Sequence, residues 1–170
     1  MLYSMVDDLV TQWRTADDRE LQLQLVQPAL VGLIDGTVST LAPIFATAYL
    51  AGSHAALLVG LATALGAAIS MGLSEALSDD GTLSGRGSSL VRGLVTGLGT
   101  FIGGTLHSLP FLIHDVHTAL PIAYAVVACE LVLIAWIRKR FQNVSLRTSL
   151  IQVTLGGALV AFVGYAIGHG

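Results

Sequence analysis

The chain has 170 residues, 54% of them hydrophobic and only 11% charged, whereas about a quarter of residues in soluble domains carry charge. The net charge of −3 comes from 11 acidic and 8 basic residues, with no basic run, so nucleic acid is excluded as a partner. The composition instead predicts an all-α polytopic membrane protein whose main solvent is the lipid bilayer.

From Leu2 to Val26 the apolar residues Leu2, Met5, Val6, Leu9, Val10 and Trp13 recur at helical spacing among Asp7, Asp8, Asp17, Asp18 and Glu20. This pattern predicts an amphipathic helix, residues 1–27, lying on the cytoplasmic face of the membrane or on a partner. It is too polar to span. Asp7 and Asp8 stand where a signal peptide would be basic, so no cleaved leader is expected.

Residues 28–170 form the second predicted unit, a five-helix transmembrane domain. Asp, Glu, Lys and Arg are absent from 36–74, 93–114, 116–129 and 148–170, and a spanning helix needs about 20 mostly apolar residues. The expected spans are Pro28 to Leu50, His54 to Ser78, Ser88 to Phe111, Ala119 to Ile137 and Leu146 to Gly168. Gly32-xxx-Gly36, Gly93-xxx-Gly97, Gly99-xxx-Gly103 and Gly164-xxx-Gly168 predict close helix packing.

Five spans put Arg14, Arg19, Arg86, Arg92, Arg138, Lys139, Arg140 and Arg147 on one side, which the positive-inside bias makes cytoplasmic. The amino terminus is then inside and the carboxyl terminus outside. Four or six spans would scatter the same charges over both faces.

Within span one, Asp35 sits between two glycines at a depth where a carboxylate costs roughly 2.5–3.5 kcal/mol to insert. Such a group marks an ion pathway or proton relay, unless it lies close enough to the interface to stay wet. Span two returns toward the cytoplasm, so Met71 and Glu75, four residues apart on one helical face, reach the depth of Asp35. Carboxylates attract divalent cations and a thioether favours the softer transition metals, so Asp35, Met71 and Glu75 form the candidate metal set. A lone membrane methionine otherwise serves packing. Glu75 is alternatively a mouth residue at the cytoplasmic surface, and Asp79 and Asp80, one turn later, are candidates for concentrating cations there.

Glu130 lies near the middle of span four with no intramembrane Lys or Arg to pair it. It is read either as a proton relay or as a protonated acid bonded within the bundle. On the outer side, His107, His114, Asp115 and His117 are candidate exit-side metal groups or simply solvated loop residues. Cys129, the single cysteine, reads as a small packing residue. No convergent nucleophile and base is present, so no catalytic residue and no prosthetic group is expected.

The segments "GLIDGTVSTLAPIFATA" at 32–48, "AAISMGLSEALS" at 67–78, "LPFL" at 109–112 and "GGALVAFVGYAIG" at 156–168 resemble the vacuolar iron transporter family. The resemblance implies a five-helix homodimer that exports Fe²⁺ and Mn²⁺ by proton antiport, with a metal path between subunits and Asp35 and Met71 at the family's metal-handling positions. Eukaryotic members carry a long Glu-rich segment between spans two and three, where this chain has only "DDGTLSGRGSS"; Pro28 and Thr63 stand where those members have acids. The wording is closer to bacterial members joined to a ferritin-like domain, which implies a bacterial inner membrane and a ferritin-like domain or protein as partner. A non-transporting membrane anchor or regulatory module for a soluble partner is the alternative function.

Overall fold

A computed structural model describes residues 18–82 and 84–169. The helix expected over 1–27 falls largely outside the described residues. Every described element is helical. A short turn, α1 (Asp18–Leu21), leads through a π-helical segment (Gln22–Val26) into α2 (Gln27–Ser78). There follow α3 (Ser89–Leu106), a 3₁₀ turn (Leu109–Leu112), α4 (Val116–Gln142) and α5 (Leu146–His169).

α2 is two helices end to end. Gly52 has φ 80° and ψ −175°, a combination open to glycine and strained for other residues, and it divides the run into arms 27–51 (α2a) and 53–78 (α2b). Other boundaries also follow from side-chain chemistry. Ser88 accepts a hydrogen bond from the Val91 N–H at the start of α3, and Asp115 accepts from the His117 and Thr118 N–H groups at the start of α4. Asn143 ends α4 in the left-handed region, φ 55°.

Three helical runs are long and apolar enough to cross a membrane: Gln22–Ser78, Val116–Gln142 and Leu146–His169. Their outward faces carry exposed Leu58, Leu65, Ile69, Val132, Ile151, Leu155, Leu159 and Phe162. Exposed apolar side chains in such continuous rows suit hydrocarbon, and the molecule is an integral membrane protein. α3, with 18 residues, is about 27 Å long at 1.5 Å per residue.

α2a is the central helix, with Leu30, Leu41, Ile44, Phe45 and Ala48 buried against α4 and α5 and its glycine face against α3. The glycine pairs do this packing within one chain. Side chains at Gly32 and Gly36 would run into the backbone of Thr96 and Thr100, while those at Gly99 and Gly103 would come within 2.6 Å of the Ala29 and Leu33 carbonyls. Gly164 and Gly168 likewise admit the α2a backbone at Ala42 and Ala46. Without a hydrophobic drive between helices in lipid, such backbone contact is a main source of cohesion.

The two ends of the bundle differ in chemistry. At one end Gln22 donates to the Phe141 carbonyl (2.7 Å) and Gln24 packs on Gly87, so Arg86, Arg92, Arg138, Lys139, Arg140 and Arg147 gather together. At the other, Tyr49 meets Tyr165 and His169, and Phe45 stacks on Tyr124. Aromatic groups of this kind favour a membrane interface.

Candidate functional site

Asp35 and Met71 line one open cavity of about 690 Å³, bounded also by Ser39, Arg138, Gln142 and Gln152. Antiparallel arms explain their meeting. Asp35 lies about 12 Å up α2a and Met71 about 10 Å back from the end of α2b, at 1.5 Å per residue. Arg138, from α4, is steadied by a 3.0 Å hydrogen bond to Gln152 Oε1 on α5. Pro43 has no N–H to offer the carbonyl of Ser39, four residues earlier, so the helix leaves that oxygen without its usual donor beside the cavity. A carboxylate and a thioether lining one cavity are donor types that suit a divalent transition ion. Among the described residues, no three His, Cys, Asp or Glu side chains come together as a metal cluster.

Glu75 does not join them. Its Oε1 is held by Arg92 Nε of α3 at 2.8 Å and by Arg86 of the α2–α3 connection at 3.0 Å. Arg92 is fully buried, and its remaining N–H groups donate to the backbone carbonyls of Asp79, Arg86 and Gly87. The structure thus places Glu75 outside the lining of the Asp35–Met71 cavity, with its Oε1 at an arginine site one turn nearer the basic end.

Asp79 and Asp80 build the same connection. Asp79 accepts from the Ser84 hydroxyl (2.6 Å) and the Gly81 N–H (2.8 Å), and Asp80 from both donors of Thr82. The Ser84 and Gly81 bonds hold the Asp79 carboxyl below its ordinary range, and the Thr82 bonds do the same for Asp80. Both stay ionised, but their oxygens already serve the turn.

His107 is not an outer-loop residue. It is fully buried, with Nδ1 2.9 Å from Glu130 Oε2 and Nε2 2.8 Å from Thr40 Oγ1. The intramembrane partner of Glu130 is thus an imidazole. Nothing in the periodicity marked it, because the chain turns at His107 from α3 into the 3₁₀ segment and the side chain points inward rather than out. His114, Asp115 and His117 are exposed; Asp115 is engaged as the α4 cap, and the Thr118 hydroxyl chiefly lowers its ionisation range. They do not meet His107 in a metal cluster. Cys129 faces outward rather than into the packing.

The model of the VIT family matches residues 76–169, more than half the chain. This chain belongs to the VIT family. The match takes in Arg92, His107, Glu130 and Arg138 and begins after Asp35 and Met71. Membership of the VIT family suggests a metal-ion transporter and agrees with the resemblance to vacuolar iron transporters. Comparison with curated proteins and with solved structures gives no match.

Proposed function

We propose that the chain moves a divalent transition-metal ion, Fe²⁺ and also Mn²⁺, out of the cytoplasm in exchange for protons. The observation that carries this reading is the shared cavity of Asp35 and Met71 in a member of the VIT family. Asp35 supplies the charge that attracts a dication, Mn²⁺ included, and Met71 a polarisable sulfur that favours the softer Fe²⁺ over Mg²⁺. One chain offers one carboxylate and one thioether, a sparse set for a dication. A homodimer with facing cavities doubles it, in keeping with the resemblance. Five crossings, with the basic end in the cytoplasm of a bacterial cell, put the cavity within reach of the inner side. Glu75, locked to Arg92, then belongs to the inner mouth rather than to the ligand set.

Purified protein in liposomes tests the reading, with anaerobic Fe²⁺ or Mn²⁺ outside and a metal-quenched dye inside. Wild type should carry both ions, Asp35→Ala and Met71→Ala should lose most of the flux, and excess Mg²⁺ should not compete because it gives up its waters reluctantly. Wild-type flux in Asp35→Ala would reject the site.

A further inference from the structure

The His107–Glu130 pair lies outside the cavity that holds Asp35, and its hydrogen bonds restrict how many protons it can hold. Thr40 has one hydroxyl proton, and its oxygen lies 2.8 Å from the Gly36 carbonyl, to which it donates. With Thr40 donating to Gly36, its oxygen accepts from His107, and in that tautomer Nε2 carries hydrogen. Between His107 Nδ1 and Glu130 Oε2 there is room for one proton: a neutral acid donating to a neutral ring, or a carboxylate accepting from an imidazolium. With none, two lone pairs face each other beside an uncompensated negative charge; with two, two donors clash beside a positive one. Both alternatives are costly in a buried, low-dielectric site, where Glu130 is only 4% exposed and its Oε1 has no partner among the described residues.

Through Thr40 the pair is one residue along α2a from the lining of the metal cavity. Ser39 lines the cavity of Asp35 and also an adjoining open cavity of about 540 Å³ that Thr40 lines. Thr40, the third member of the hydrogen-bonded set, thus stands between His107 and the cavity that shares Ser39 with that of Asp35. The charged and titratable neighbours are few. α2a offers Asp35 and, farther along, Tyr49; α2b has none between His54 and Glu75; α3 has only Arg92, at the basic end. On α4 Tyr124 bonds to Tyr49, Cys129 faces outward and Arg138, two turns beyond Glu130, lines the Asp35 cavity bonded to Gln152; α5 has none between Arg147 and Tyr165.

We infer that the His107–Glu130 pair is the site of the exchanged proton, held one per chain at rest and released when a dication occupies the cavity of Asp35. The inference rests on the transport reading above and adds to it a second, separate site. The coupling is Coulombic: a cation arriving on the far side of Thr40 disfavours the proton, and departure of the cation restores it.

The test uses the full chain, wild type and Glu130→Gln, whose amide preserves the shape and can still bond His107 but cannot ionise. In detergent and weak buffer, adding Mn²⁺ should release protons from wild type, and one fewer per chain from Glu130→Gln. In liposomes the variant should lose proton counter-movement and its response to an imposed pH gradient while Mn²⁺ still moves down its own gradient. His107→Gln should show the same loss, and Glu130→Asp should restore part of the coupling. Equal proton release and equal counter-movement in wild type and Glu130→Gln would overturn the inference, as would a wild type that releases none. A wild type that releases the proton on binding Mn²⁺ but carries no Mn²⁺ across the bilayer would sink the transport reading and leave the proton site standing.

Discussion

Arg92 crosses the α2–α3 connection to place its Nε 2.8 Å from Glu75, and no part of the Arg92 side chain remains exposed. A guanidinium out of water needs its donors used: Glu75 and the three carbonyls of the 79–87 turn take four of the five N–H groups, and Asp79 Oδ2 lies 3.5 Å from Nη2. Removing one partner strands the other. Glu75→Ala and Arg92→Ala should each cost about 3–5 kcal/mol, the range for breaking a buried pair. Arg86→Ala, at a partly exposed pair, should cost about 1 kcal/mol or less. Thermal unfolding in detergent measures the order. If Glu75→Ala leaves stability unchanged yet loses metal binding, the residue is a ligand after all and the ion pair is incidental.

The contact between α2a and α3 leads to a second stability prediction. A methyl at Gly36 would run into the Thr100 carbonyl, whereas one at Gly156 meets nothing within 4 Å. Gly36→Ala should destabilise by about 1–3 kcal/mol, as overpacking does. Gly156→Ala should be neutral or slightly favourable, since alanine is the better helix former. Unfolding temperatures of the two variants in the same detergent decide it.

Gaps in charge made the helical segments legible, because nothing but apolar and small residues can fill the membrane core, and Gly52 fell where one expected span gave way to the next. Asp35 and Met71 could be brought together by counting along two antiparallel helices. Glu75 could be placed at nearly the same depth, yet counting says nothing of Arg92, which returns seventeen positions later and takes its carboxylate. His107 was hidden for a different reason. A histidine next to Ser108 and before a proline reads as a loop, and only the inward turn into the 3₁₀ segment shows that it completes Glu130.

Orientation can be tested at the ends of α4. Phe141 lies in the basic cluster and His114 at the opposite end, and both are exposed. Asn143 is a poor labelling site because its φ of 55° disfavours other side chains. In a Cys129→Ala background, a membrane-impermeant maleimide added to intact cells should label His114→Cys and spare Phe141→Cys until the membrane is opened. The reverse pattern would invert the proposed topology and with it the direction of transport.

Arg138 shares the cavity with Asp35, and this bears on cation affinity. Its guanidinium is tied to Gln152 rather than to the carboxylate, so it is not a salt-bridge partner that Asp35 needs for burial. It is a fixed positive charge at the edge of a space proposed for a dication. Repulsion across an open, solvated cavity is worth up to about 1 kcal/mol, and 1.4 kcal/mol is tenfold in binding. Arg138→Gln should therefore tighten Mn²⁺ binding by about threefold to fivefold. The effect should shrink at high salt, because screening weakens exposed charges most. A packing role predicts the opposite, since loss of the long side chain would loosen α4 against α5 and lower both stability and flux. Mn²⁺ titration at two ionic strengths, beside an unfolding curve, separates the two: unchanged affinity with reduced stability would assign Arg138 to structure alone.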